Sequence, residues 1–244
     1  MTGRLLMRGM LIGIAAGLLT FSFAKIAGEP QVDRAISFEK KADAAKGEAP
    51  EPEIVSRHTQ AGLGLLTGCV VYGAAVGGLF SLVFAYAYGR VGTLGARALS
   101  ALLALAAFVS IVVVPGLKYP ANPPSVGDPE TIGYRTGLYF LMIAISLVAT
   151  VFSLKLRRHA AARYGAWNGA MLAAGVFIAI IAAVQAGLPS IDEVPAAFPA
   201  VLLWKFRMAA LGMQAILWTT IGLGFGALVE AGRRGAGGLL AAGR

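Results

Sequence analysis

The sequence predicts an all-α, polytopic membrane protein, a bundle of about six transmembrane helices arranged as three hairpins, and three observations lead to this fold class. Hydrophobic residues make up 57% of the 244 residues and charged residues only 14%, whereas about 25% of an average soluble domain is charged. The mean hydropathy is +0.73. The apolar residues are gathered into long runs. So few charges cannot cover a water-soluble globule of this size, which excludes a soluble enzyme.

Six apolar runs reach the length of about 20 residues that a helix needs to cross a bilayer. They are Leu5–Ala27, Thr59–Tyr88, Ala98–Leu117, Thr136–Leu156, Ala166–Leu188 and Pro199–Val229. The sequence therefore predicts a single transmembrane domain over residues 1–230, followed by a flexible cytoplasmic tail over residues 231–244. An alternative for the first run is a cleaved signal peptide, with Ser22-Phe23-Ala24 as the cleavage site.

The distribution of basic residues predicts that both termini lie in the cytoplasm. With the N-terminus inside, the cytoplasmic segments hold eleven of the 21 Lys and Arg residues and one of the 12 acids, Glu230. Cytoplasmic loops of membrane proteins carry such an excess of Lys and Arg, so the predicted topology is N-in and C-in. The net charge of +9 is then a topology signal and an attraction to the lipid bilayer, and no nucleic-acid partner is expected.

Three predicted outer loops, at about residues 28–58, 118–135 and 189–198, share a pattern. Each contains prolines beside carboxylates, and an arginine opens the helix that follows: Arg57, Arg135 and Arg207. We interpret this pattern as a weak internal repeat of three hairpins. The first loop is the longest, and its part at residues 46–53 is predicted to be mobile.

Glycines recur at helical spacing within the apolar runs. Gly9, Gly13 and Gly17 lie four residues apart, as do Gly73 and Gly77. This spacing places them on one helix face, where two backbones can approach closely. We interpret these faces as packing surfaces, with a gate or a contact between copies of the chain as the alternative.

The residues that enzymatic chemistry requires are missing from the sequence. There is one cysteine, Cys69, inside an apolar run, and the two histidines, His58 and His159, fall on opposite sides of the membrane in the predicted topology. A nucleophile with its base and orienting group and a zinc-binding His-Glu-x-x-His motif are therefore excluded. The sequence predicts no enzyme and no permanently bound cofactor, and Cys69 is interpreted as a small buried hydrophobe.

The predicted outer loops carry carboxylates, which suit divalent first-row metals. The preferred candidate ligands at this outer rim are Glu29, Asp128, Glu130 and Glu193. Each can instead be solvated or paired with a basic residue. A second set is expected to organise the loops: Arg57, Lys118, Tyr119, Asn122, Arg135 and Arg207. Polar and sulfur-containing candidates within the helices are few: Gln60, Gln185, Gln214, Asn168, Tyr72, Tyr139, Met142, Met208 and Met213.

Specific motifs lie in and beside the predicted outer loops. Residues 114–124 read Val-Pro-Gly-Leu-Lys-Tyr-Pro-Ala-Asn-Pro-Pro, and residues 203–207 read Leu-Trp-Lys-Phe-Arg after the pairs Val194-Pro195 and Phe198-Pro199. Together with Gly28-Glu29-Pro30 in the first loop, these motifs resemble the CbtA family of predicted cobalt transporter subunits, over residues 5–230.

The resemblance implies a multi-pass protein of the bacterial inner membrane that supplies cobalt for cobalamin biosynthesis, with Co²⁺ as the transported ion. It also implies a small single-helix partner that bears histidines. No His-rich stretch occurs in this chain, so metal capture is expected to rest with that partner. The family is described as five-spanning, whereas the apolar runs predict six helices. Assembly of several copies into a homo-oligomer is left open.

The predicted function is that of a membrane subunit of a cobalt, or divalent-cation, transporter. Carboxylates would capture the ion at the outer rim, and the ion would pass through the hairpin interface. One alternative is a non-transporting scaffold that assembles another membrane component. Another is a membrane enzyme that acts on a lipid or quinone at the loop between Tyr119 and Arg135, against which the missing acid–base cluster argues.

Overall fold

The computed structural model describes residues 2–47 and 54–242, with side chains up to residue 233. Five helices in this part of the chain are long and apolar enough to cross a membrane. They are α1 (Thr2–Lys46), α2 (Arg57–Ala87), α3 (Ala96–Lys118), α4 (Pro129–Gly187) and α5 (Ala200–Ala242). No strand occurs in the described residues. The predicted all-α membrane fold is confirmed.

Helix α4 explains why five helices stand where the sequence predicts about six. Its 59 residues would be about 88 Å long if straight, far more than the hydrocarbon core of about 30 Å. At Gly165 the backbone leaves the helical conformation, with φ 83° and ψ 161°. We call residues 129–164 the first arm and residues 166–187 the second arm. Because Met142 of the first arm and Ile181 of the second share one buried cluster, the arms pack against each other and contain the fourth and fifth predicted runs.

Residues 29–46 are helical, although the sequence predicts a loop there. Helix α1 passes through a π-helical turn at Ala24–Gly28 and continues as α-helix over Glu29–Lys46. Pro30 lies in the first turn of that continuation, where proline is tolerated, and the remaining residues include many Glu, Lys and Ala, which favour helix. Of the segment 46–53 predicted to be mobile, residues 48–53 lie outside the described residues.

Two further segments are helical where the sequence predicts a break. Residues 157–164 complete the first arm of α4 instead of forming a turn, and α5 continues to Ala242 through the predicted tail. Both segments contain Ala and Arg, good helix formers. The flexibility of the tail stays a prediction. The second and third predicted loops are irregular, at residues 119–128 and 188–199.

The chain divides into two compact units. Unit 1 contains the described parts of residues 1–105, 123–125 and 200–244, and unit 2 contains residues 106–122 and 126–199. In unit 2, the end of α3 and both arms of α4 enclose one apolar cluster around Val114, Met142 and Ile181.

In unit 1, α1 and α2 pack backbone to backbone. A Cβ atom on Gly13 would lie 2.1 Å from the carbonyl oxygen of Gly73, and one on Gly77 would lie 2.1 Å from that of Gly9. Only glycine permits this approach. The glycine faces are packing surfaces within the chain, as predicted.

Helix α5 packs against α2 and α3 in unit 1. The rings of Phe84 and Phe225 pack edge to face with centroids 5.1 Å apart, and the Ser100 hydroxyl donates to the carbonyl oxygen of Gly222 at 2.6 Å. Glu230 pairs with Arg97 at 2.7 Å. These contacts fix the rotation of α5, and thereby decide which of its side chains face α1 and α2.

Candidate functional site

In unit 2, the two irregular loops are joined at the carboxylate of Glu193. Its Oε2 accepts a hydrogen bond from the backbone N–H of Asp128 at 2.8 Å, and its Oε1 accepts one from the Thr131 hydroxyl at 2.7 Å. The Nε of Arg135 lies 3.3 Å from Oε2 as an ion pair, without hydrogen-bond alignment. The Arg135 Nη2 donates to the Asp128 carbonyl oxygen at 3.0 Å. We call these four residues the Glu193 network.

The Glu193 network holds its central carboxylate in the ionised form. The hydrogen bond from the Asp128 N–H, the hydrogen bond from Thr131 and the charge of Arg135 together outweigh desolvation and lower the pKa of Glu193. Its oxygen atoms are occupied by these donors. Glu193 therefore fastens the loops together, which is a different role from that of an open cation ligand.

Gly127 makes room for the arginine of this network. Its φ is 112°, a conformation that side chains disfavour. A Cβ atom there would also lie 2.1 Å from the Nη1 of Arg135. The glycine thus serves both the turn and the close approach of the guanidinium to the backbone.

Lys118 and Tyr119 attach the 188–199 loop to the end of α3. The Lys118 ammonium donates to the Gln185 carbonyl oxygen at 2.7 Å and to the Ser190 hydroxyl at 3.2 Å. The Tyr119 hydroxyl donates to the Pro189 carbonyl oxygen at 2.9 Å. The Gln185 carbonyl is among the last of α4, where helical donors run out and a cation is favoured. Lys118 therefore caps α4 from the neighbouring helix.

In unit 1, Arg57 ties the start of α2 to the long extension of α1. Its Nε donates to Asp33 Oδ1 at 3.0 Å, and its Nη2 pairs with Glu29 Oε2. Glu29 is thereby engaged by a cation of the chain itself.

Three predicted site residues remain: Glu130, Asn122 and Arg207. Glu130 is exposed, and its backbone N–H donates to Asp128 Oδ1 at 2.9 Å. Asn122 and Arg207 are half-buried. Among the described residues, no three His, Cys, Asp or Glu side chains lie close enough to hold a metal ion together. Cation ligation by Glu29, Asp128, Glu130 and Glu193 stays a prediction.

A half-open cavity of about 340 Å³ with a mostly apolar lining lies among the helices of unit 1. Its lining includes Thr20 of α1, Cys69 and Tyr72 of α2, and Met213 and Gln214 of α5. The sequence identifies Tyr72, Met213 and Gln214 as separate candidates, but it does not bring them together. The one feature of the sequence that points to this cavity is the spacing of Gly64, Gly68 and Tyr72, which lie four residues apart on one face of α2.

The comparison with protein families matches residues 2–230 to the family described as Probable cobalt transporter subunit (CbtA). No curated protein and no solved structure matches the chain significantly. The family match includes the Glu193 network, Arg57 with its two acidic partners and the residues that line the cavity. It covers well over half of the chain, and so the chain belongs to the CbtA family of probable cobalt transporter subunits.

Proposed function

We propose that the chain is a membrane-spanning subunit of a Co²⁺ transporter of the bacterial inner membrane that supplies cobalamin biosynthesis. The family match over residues 2–230 carries this proposal. It is supported by helices long and apolar enough to span a membrane.

The loop carboxylates divide into two roles in this proposal. Glu29 and Glu193 are paired with Arg57 and Arg135, so they hold the loops in place. Asp128 and Glu130 are exposed and attract the cation to the predicted outer surface, since surface carboxylates raise the local concentration of cations. Attraction does not require these two carboxylates to form a closed coordination shell.

The remaining parts of the proposal follow the charge distribution and the family. Both termini lie in the cytoplasm, because the predicted inner segments hold eleven bases and a single acid. This chain has only two histidines, which are far apart in sequence. A small single-helix subunit that bears histidines therefore supplies the imidazole ligands for the cation.

The test is uptake of radioactive cobalt by cells that lack their own cobalt transporters. Uptake is measured with the chain and its small partner together, with each alone, and with neither. We expect uptake to require this chain. The double variant Asp128→Asn, Glu130→Gln is expected to raise the KM for cobalt several-fold with little change in maximal rate, because the carboxylates act before the rate-limiting passage.

The double variant Lys40→Gln, Lys41→Gln is the control of opposite sign: it removes two positive charges from a predicted outer segment, so the KM for cobalt should not rise. Variants are compared at equal amounts in the membrane. Uptake that is the same with and without the chain would contradict the transport proposal. If the chain then still copurifies with another membrane component, the scaffold becomes the better explanation.

A further inference from the structure

Four arginines from four segments of unit 1 meet at one end of its helices. Arg233 of α5 donates a hydrogen bond to the Tyr88 hydroxyl, and its guanidinium carbon lies 5.5 Å from the centre of the Tyr88 ring. Arg97 of α3 pairs with Glu230 of α5 at 2.7 Å, three residues before Arg233. Arg90 follows Tyr88 by two residues. The turn after α2, the start of α3 and α5 each bring one arginine to this place.

The fourth arginine, Arg8, reaches the same place from α1. A Cβ atom on Gly232 would lie 2.1 Å from the Nη2 of Arg8, whereas one on Gly224 would meet the side chain of Ile12. The two glycines are about 12 Å apart along α5, but Arg8 and Ile12 are only about 6 Å apart along α1. The Arg8 side chain therefore runs towards the end of the helices, as long basic side chains do near a membrane surface. We call Arg8, Arg90, Arg97 and Arg233 the arginine cluster.

The arginine cluster carries more positive charge than the acid beside it can neutralise. The segments that bring it together, residues 1–10, 86–98 and 228–233, contain five arginines and a single acid, Glu230. Arg97 exposes 62% of its side chain despite its pairing with Glu230, and Arg90 and Arg233 are exposed as well. Such an excess of accessible positive charge attracts an anion.

The neighbours of the arginine cluster are those of a site at the membrane surface. Tyr86 is 72% exposed, and the centre of its ring lies 5.0 Å from the guanidinium carbon of Arg90. Tyrosines such as Tyr86 and Tyr88 are enriched where a membrane meets water. About one turn further into the helices, Leu11 of α1 and Val83 of α2 are 57% and 54% exposed. Cations beside exposed apolar side chains match a ligand with an anionic head and apolar chains.

We propose that the arginine cluster binds an anionic phospholipid, with its phosphate groups among the guanidinium groups and its acyl chains along α1 and α2. Arginine suits this ligand because its planar guanidinium can donate two hydrogen bonds to one phosphate. A lipid with two phosphate groups, such as cardiolipin, fits four cations better than a lipid with one. Free phosphate shares the anionic head but has no chains to contact the apolar side chains. The proposal does not depend on cobalt transport.

The experiment measures lipid binding to the full chain, purified in a neutral detergent and freed of copurified lipid. Native mass spectrometry gives the Kd of each added lipid. We expect cardiolipin to bind at least about tenfold more tightly than phosphatidylcholine, whose phosphate is balanced by its choline group. Inorganic phosphate should not displace the bound cardiolipin.

Two double variants of equal charge locate the bound lipid. Arg8→Gln with Arg233→Gln should raise the Kd for cardiolipin about 25-fold, because each basic residue at an anionic surface contributes about fivefold. Arg157→Gln with Arg163→Gln removes the same charge at exposed positions of α4 outside the cluster. This control lies on the same predicted side of the membrane and should leave the tightest Kd unchanged.

Three outcomes would overturn the lipid site. Equal Kd values for cardiolipin and phosphatidylcholine would show that the arginines do not select an anionic head. Displacement of cardiolipin by phosphate would show a site for free anions that needs no acyl chain. An equal loss of affinity in both double variants would show that net charge, and not the arginine cluster, attracts the lipid. The lipid comparison on the wild-type chain decides the proposal even if a variant does not fold.

Discussion

Glu193 makes the loops of unit 2 sensitive to acid. Its pKa is lowered by the hydrogen bonds from the Asp128 N–H and Thr131 and by the charge of Arg135. A group whose pKa is lower in the folded state stabilises that state above its unfolded pKa, about 4.3 for glutamate. The stabilisation is lost as the pH falls through the folded value. We therefore expect thermal unfolding between about pH 3 and pH 7 to show a loss of stability in acid that Glu193→Gln reduces.

The neighbouring acid provides the control for this prediction. Asp192 is exposed and adjacent in sequence, and Asp192→Asn changes the same charge without entering the Glu193 network. Its stability should follow pH as the wild type does. Equal pH profiles for wild type and Glu193→Gln would show that the network does not contribute.

Gly127 offers a second test of the Glu193 network. Gly127→Ala strains a backbone with φ 112° and places a carbon atom where the Arg135 guanidinium lies. We expect a loss of about 1–3 kcal/mol in the free energy of unfolding. Gly133→Ala is the control, because a Cβ atom there meets nothing within 4 Å. Denaturant unfolding of the two variants in the same detergent measures the difference, and equal stability would contradict the predicted strain.

At the scale of the helices, the contact between α1 and α2 has no room for side chains. A methyl group on Gly13 or Gly73 would meet backbone oxygen at 2.1 or 2.3 Å, and backbone cannot move aside as a flexible side chain can. We expect Gly73→Ala to destabilise unit 1 by about 1–3 kcal/mol, the usual cost of overpacking. Gly3→Ala in α1, which meets nothing within 4 Å, should be neutral. A thermal melt of both purified variants compares them, and a neutral Gly73→Ala would show that the helices separate easily.

The hairpin within α4 depends on one glycine. Gly165 has φ 83° and ψ 161°, a region that only glycine occupies without strain. Gly165→Ala should therefore cost about 1–3 kcal/mol. Gly175→Ala in the second arm has open space around it and should stabilise slightly through helix propensity. Unfolding in denaturant distinguishes these results, and a stabilised Gly165→Ala would indicate that the two arms do not need the break.

Hydropathy located the membrane helices because the bilayer imposes a length and a composition on each crossing. It failed at residues 29–46, where charged residues indicate an aqueous segment but do not distinguish a loop from a solvated helix. Glu29 and Arg57 fall at the two ends of one predicted outer segment, so the sequence already suggests that they can pair. The contact of Arg135 with Glu193 joins separate loops, so sequence spacing alone does not fix it.

The cavity lay beyond sequence reasoning for a geometric reason. Its lining residues come from three helices, and their proximity depends on how each helix is rotated about its axis. Those rotations are set by distant contacts such as the glycine interface of α1 with α2 and the Ser100 bond to Gly222. Polarity patterns identified three of the lining residues, whereas only the structure shows that Thr20 and Cys69 lie beside them.

For the whole molecule, the number of membrane crossings decides the topology. If each arm of α4 crosses the membrane, the chain crosses six times and both termini share one side. If α4 crosses once, the termini lie on opposite sides. His159 at the end of the first arm and Asp192 beyond the second arm are both exposed, and two crossings through α4 require them to face opposite compartments.

Labelling with a membrane-impermeant maleimide tests this topology in intact spheroplasts. In a Cys69→Ala background the chain has no cysteine, so single cysteines can be introduced at Ser37, His159 and Asp192. We expect Ser37→Cys and Asp192→Cys to be labelled from outside, and His159→Cys only after permeabilisation. Such a result establishes that the second arm crosses and that basic residues near the break face the cytoplasm, as the charge rule requires. Labelling of His159→Cys and Asp192→Cys from the same side would instead mean that the second arm does not cross, and the N-in, C-in topology would have to be abandoned.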